Sequence, residues 1–187
     1  AISGDNALYI FRTTDGGATY GQVAKLTAAN ATANDYFGWS VAIDGDTVVV
    51  GARGKDDYTG AAYVLRTTDG GATYDEVATL TPADDSEANP QADWEFGISV
   101  AIDGNTIVVG AIGAGASGEV YIFRTDDGGA TYGFEQRLSP PGNAPHDRFG
   151  ISVAVQGDTI VVGADGVGKF EGAVYVYRPD DDGVQYE

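Results

Sequence analysis

The sequence predicts an all-β fold of β-propeller blades, each of four antiparallel strands, with about three blades' worth of strands in 187 residues and incomplete blades at both ends. Three observations predict it. A segment that opens with Phe-Gly and closes with Gly-Ala occurs three times, starting at Phe37, Phe96 and Phe149, so 59 and then 53 residues apart. That period suits a propeller blade rather than a short solenoid turn. Inside each segment, short runs rich in Val and Ile are split by tight Gly-containing turns. A second motif, Thr-x-Asp-Gly-Gly-Ala-Thr-Tyr, recurs at Thr13, Thr67 and Thr125.

Each element follows from residue type. Strand one is Ser-Val-Ala-Ile or Ser-Val-Ala-Val, apolar and short. Asp44-Gly45-Asp46, Asp103-Gly104-Asn105 and Gln156-Gly157-Asp158 then supply a hairpin turn. Strand two, Thr47 to Ala52 in the first copy, is nearly continuous apolar and should be buried on both faces. Strand three is Ala62 to Leu65, Val120 to Phe123 and Val174 to Tyr177. Strand four is Val77 to Leu80, and the stretch around Phe134 to Leu138. The Thr-x-Asp-Gly-Gly motif joins strands three and four. Its Asp offers side-chain-to-backbone turn bonds, its Gly residues take positive φ, and Thr and Tyr return the chain to strand geometry. A last copy, Pro179 to Tyr186, is degenerate but keeps Asp181, Gly183 and Tyr186.

Composition narrows the functions. The formal net charge is −18, from 28 acidic and 10 basic residues. Phosphate binding depends on Lys and Arg, so nucleic acid is excluded as a partner, and an anionic membrane surface equally so. No apolar run approaches the length of a membrane-spanning helix, so no membrane insertion is expected. There is no Cys, hence no disulfide, and no Met, so the chain is expected to be processed or a piece of something longer.

The Phe-Gly…Gly-Ala pattern resembles FG-GAP repeats, the blades of integrin α-subunit propellers. The proline that usually follows Gly-Ala is absent; Arg53, Ile112 and Asp165 stand there. The Thr-x-Asp-x-Gly hairpins look like Asp-boxes, the turn between the third and fourth strands of sialidase-type blades. The two resemblances put the same turn between the same strands. They imply an extracellular or cell-surface protein used for adhesion. FG-GAP blades often carry a calcium loop between strands one and two. Here that place holds only short turns, and calcium needs six to eight oxygens, so no calcium or other cofactor is expected.

Read in phase with the blades, the chain divides into a partial blade 1–29, blades 30–81 and 82–139, and a partial blade 140–187. Ala1 to Gly4 aligns with the segment after a strand two, so the first blade opens at strand three (Leu8 to Phe11) with strand four at Val23 to Leu26. The last ends at strand three. Unpaired edge strands invite pairing. The chain is therefore expected either to join flanking repeats of a longer chain or to form homo-oligomers head to tail, as a ring or a filament. The expected function is a non-catalytic structural or adhesion module; the alternatives are a ligand- or glycan-binding propeller domain of a larger cell-surface protein, and a sialidase-like glycoside hydrolase.

No catalytic, cofactor or metal residue is singled out. Hydrolase chemistry needs convergent Arg residues with paired acids or an activated Tyr. Arg12, Arg66, Arg124 and Arg178 instead recur at one position after strand three, which suggests architecture, while Arg53, Arg137 and Arg148 are scattered. His146 is the only histidine and falls in a Pro-rich loop. The acidic loop from Asp84 through Glu95 reads as a solvated connection, and Trp39 and Trp94 as packing residues. Asn30-Ala31-Thr32 is an N-glycosylation sequon, which makes Asn30 the one candidate modification site.

Overall fold

The computed structural model describes residues 7–28, 32–142, 144–180 and 186. Among them, thirteen strands form four antiparallel sheets, one per blade. Blade I holds β1 (Ala7–Arg12) and β2 (Gly21–Thr27). Blade II holds β3 (Ser40–Asp44), β4 (Thr47–Ala52), β5 (Ala61–Arg66) and β6 (Asp75–Leu80). Blade III repeats it with β7 (Ser99–Asp103), β8 (Thr106–Ala111), β9 (Glu119–Arg124) and β10 (Gly133–Leu138). Blade IV has β11 (Phe149–Gln156), β12 (Thr159–Ala164) and β13 (Ala173–Tyr177).

The expected blades and their phase are present: two, four, four and three strands in order. Strand ends run one or two residues further than the apolar runs suggest, because ladder pairing continues after the side chains turn polar, as at Arg66 with Thr47. In blade IV the first strand starts early, since Phe149 pairs with Ala164 across a register shift. The degenerate last hairpin lies mostly outside the described residues, but Tyr186 makes a bridge to Pro179.

Period-two alternation gives each sheet two faces. In blade II, Val41, Ile43, Val48, Val50, Tyr63 and Leu65 share the face toward blade I, through pairs such as Val41 with Val50 and Val50 with Tyr63. Ala42, Val49, Ala62 and Val64 share the other face and pack on blade III. Blade III repeats this, with Ala101, Val108, Val120 and Ile122 packing on blade IV. The core is thus three stacked layers between sheets, with small or β-branched residues on one side and aromatics on the other.

One expectation needs correction. Strand two is buried throughout in β4 and β8, as anticipated, but β12 alternates between buried and half-buried residues. The cause is that no described residue covers the outer face of blade IV. There Ala154 pairs with Val161 and Val161 with Val176, a ladder whose equivalents Ala101, Val108 and Ile122 are buried in blade III.

Phe96 and Phe149 are fully buried, each edge-to-face on a strand-three tyrosine, Tyr121 at 5.3 Å and Tyr175 at 5.4 Å. Replacing either with Ala is expected to cost about 3–5 kcal/mol in urea unfolding. Val174→Ala on the open face is expected to stay within about 0.5 kcal/mol.

Candidate functional site

The recurring site in this molecule is the junction between blades. Strand one of each blade ends its approach in a Phe-Gly loop laid across the preceding blade. Gly97 and Gly150 have φ of +88° and +91°, which favours glycine. Their carbonyls lie over Gly51 and Gly110: a Cβ there would fall 2.0 Å and 2.1 Å from those oxygens. The strand-one serine closes the contact, with Ser40 Oγ donating to the Gly97 carbonyl at 2.8 Å and Ser99 Oγ to Gly150 at 2.7 Å. The glycines of Phe-Gly and of Gly-Ala are therefore one device, a backbone-to-backbone approach too close for a side chain.

Two further contacts tie the junctions of blade II with III and of blade III with IV. The Gly104 amide donates to Asp44 Oδ2 at 2.7 Å, and the Gly157 amide to Asp103 Oδ2 at 2.5 Å. The carboxylates in the strand one–two turns, where FG-GAP blades often carry calcium, thus bond across to the next blade. At the outer end, Arg66 donates to the Gly128 carbonyl, and Arg124 Nη2 donates to Tyr186 Oη at 2.9 Å. Arg66 and Arg124 are thus clasps on the neighbouring blade, in line with the architectural role expected for the recurring arginines.

The Asp-box hairpins are built as their residues suggest. Thr67 Oγ1 accepts from the Gly71 amide at 2.7 Å, while Asp69 accepts from the Thr73 amide and hydroxyl at 2.9 and 2.7 Å. Thr side-chain hydroxyls hold Asp15 and Asp69 well below the usual carboxylate range; for Asp127 the Thr131 amide contributes most.

The loops at the other end of blade II hold an aromatic cluster. Arg53 lies 3.9 Å from the Trp39 ring centroid, 5.2 Å from Tyr36 and 5.7 Å from Tyr58, and its Nη1 pairs with Glu95 at 2.8 Å. Trp39 is half exposed, so it is not the packing residue expected, whereas Trp94 does pack against the core. In the repeat frame, Trp39 and Arg53 take the places of Ile98 and Ile112, so only blade II has this chemistry.

The acidic loop is largely exposed, as expected of a solvated connection, with Asp85 the exception. Asp85 is buried and pairs with Arg137 at 3.1 Å; Asp84 accepts from the Thr81 amide; Glu95 holds Arg53. Burial leaves the Asp85 carboxylate no stable alternative to a partner, and the loop sequence alone gives no sign of it. Arg137 also faces Glu119 at 3.8 Å, and Tyr121 donates to Glu119 at 3.0 Å. Tyr121 is fully buried between blades, and that burial, followed by the Glu119 charge, pushes the phenol up. His146 is exposed in its loop. Asn30 lies outside the described residues. No group of three or more His, Cys, Asp or Glu that could hold a metal occurs among the described residues. Ser40 and Ser99, the clasping hydroxyls, were not anticipated, though a serine at that place in all three repeats was the available signal.

Comparison with known proteins agrees with this anatomy. The FG-GAP repeat profile matches residues 20–65, 74–123 and 132–177, more than half of the chain. The chain belongs to the FG-GAP repeat family. Each match starts near a strand four and ends at the next strand three, so the family's unit draws strands from two neighbouring sheets. No curated protein matches the chain. Among solved structures, Trypanosoma rangeli sialidase is similar at a TM-score of 0.52 and 16% identity, over 99% of this chain and 33% of that one. The Penicillium chrysogenum α-L-arabinanase is similar at 0.51 and 14%, over 96% and 58%. Saccharomyces cerevisiae Sqt1 is similar at 0.50 and 15%, over 82% and 34%. The chain therefore spans about a third of the length of Sqt1 and of the sialidase, and at these identities the likeness is one of fold: the propeller.

The hairpin carboxylates give a pH test. A pKa depressed by folding contributes stability that is complete above the ordinary carboxylate value, about pH 4, and is lost as pH falls below it. The melting-temperature gap between the wild type and Asp69→Asn is expected to be constant from pH 7 to pH 5 and to shrink steadily below pH 4.

Proposed function

We propose that this chain is a non-catalytic structural or adhesion module, working outside the cell or at its surface, whose blades assemble head to tail into a ring or filament. One observation carries the proposal: the outer faces of blades I and IV bear the same residue types, at the same strand positions, as the faces buried at the internal junctions. Such a face, apolar and uncovered among the described residues, is a marker of an interaction surface. A head-to-tail contact closes into a ring or runs on as a filament according to its rotation.

The chemistry of the molecule supports a non-catalytic reading. Tyr121, which donates to Glu119, is fully buried and is protonated more firmly than a free tyrosine. An activated nucleophile needs the opposite shift. The proposal assigns no cofactor to the chain; its cross-blade aspartates serve the junctions. Membership of the FG-GAP family supports an extracellular setting by analogy with integrin propellers.

A second reading, a ligand- or glycan-binding domain of a larger cell-surface protein, draws on the half-exposed Trp39 beside Tyr36, Tyr58 and Arg53. Aromatic faces of this kind stack on sugar rings. It would be favoured if Trp39→Ala abolished binding to a glycan array.

Light scattering coupled to size exclusion separates the readings. The head-to-tail module is expected to gain mass with concentration, and a compact monomer across the whole accessible range would sink it. A chelator is expected to leave the melting temperature unchanged; a drop on chelation, restored by calcium, would contradict the cofactor-free account.

A further inference from the structure

We infer that the head-to-tail contact is made with a second copy of this chain, by clasping the Asp15-Gly16-Gly17 hairpin of one copy under Arg178 of another. The inference rests on the assembly proposed above and names its interface.

The internal junctions define what such a contact looks like. At the ends of β1 and β5, an arginine lies across the Gly-Gly hairpin of the following blade. A Cβ on Gly71 would fall 2.6 Å from Arg12 Cζ, and one on Gly129 2.7 Å from Arg66 Nη1. Among the described residues two members of this series are unmatched. Arg178, at the same place after β13, is exposed. Gly17, the equivalent of Gly71 and Gly129, has only its own hairpin's Tyr20 hydroxyl near it, at 3.7 Å. The two unmatched halves lie on different blades, IV and I, and are complementary, the requirement for a heterologous contact between copies.

The neighbouring side chains match in the same way. Beside Arg178, Val174 and Val176 are 69% and 54% exposed; beside the hairpin, Tyr9 and Phe11 are 42% and 54% exposed. Their equivalents in blade III, Val120 and Ile122 on one face and Tyr121 and Phe123 on the other, are all fully buried. In blade II the same small face, Ala62 and Val64, lies in one cluster with Tyr121 and Phe123. The pairing of Val174 and Val176 with Tyr9 and Phe11 of a second copy reproduces that cluster. Charge agrees: the hairpin that Arg178 would cover keeps Asp15 ionised.

The contact covers the outer half of a junction. The inner half of blade IV, with Ser152, Ala154 and Gly163, meets no strand one or two in the described part of blade I, and Val41 and Ile43 of blade II are exposed for the same reason. Association is therefore weaker than an internal junction and depends on concentration.

The chain has no cysteine, so engineered thiols report without background. Under mild oxidation, Arg178→Cys combined with Ala18→Cys is expected to give a ladder of dimers, trimers and higher species on a non-reducing gel. Each single variant is expected to stop at dimers. Arg178→Ala and Phe11→Ser, both at exposed positions, are expected to raise the concentration for half-association by about tenfold or more in light scattering. If the wild type assembles while Arg178→Ala assembles equally well and the double variant gives no ladder, this interface is wrong although assembly stands. If the wild type remains monomeric at every concentration, both the interface and the assembly fail.

Discussion

Everything in this molecule depends on one close approach, the carbonyl of a Phe-Gly loop resting on a glycine of the blade before it. At 2.0 to 2.1 Å from where a Cβ would be, neither side can carry a side chain. The serine hydroxyl, the aspartate at the strand one–two turn and the arginine clasp all bridge the same two blades. The buried Phe ring sits next to this contact and supplies the apolar area. The sequence pattern and the contact are therefore the same object: Phe fills, Gly permits, and the Gly of Gly-Ala receives.

A consequence is that each blade is two-faced. One side presents aromatics and the other small or β-branched residues, so a blade buries its surface only between two neighbours. Stability in such an array is a sum of blades and nearest-neighbour interfaces. Among the described residues, the outer faces of blades I and IV are uncovered and bear residue types that are buried at the internal junctions. In the proposed assembly, the contact that holds blades together within one chain is used between molecules.

How far the sequence reached depended on whether a residue acts locally or across blades. Strands, hairpins and their phase were legible, because period-two alternation, Asp-Gly turns and the Thr-x-Asp-Gly-Gly box act within a few residues of one another. The role of Arg12, Arg66 and Arg124 was legible as recurrence, though not as a clasp, since the partner lies some 60 residues away, as in Arg66 with Gly128. The burial of Asp85 against Arg137 and the exposure of Trp39 under Arg53 were not legible. Both depend on where a loop lands on the next blade, and loop composition does not encode that. The even burial expected of β12 failed for a related reason: its sequence is that of a covered strand, and its cover is absent among the described residues.

Hydrogen–deuterium exchange as a function of concentration tests the central claim most directly. If the unfilled junction halves are the working surface, amides of β1, of β13 and of the hairpin from Asp15 to Ala18 gain protection as concentration rises, while β4 and β8 stay unchanged. Protection that does not vary with concentration, or that appears instead in the loops around Tyr36 and Tyr58, would contradict it.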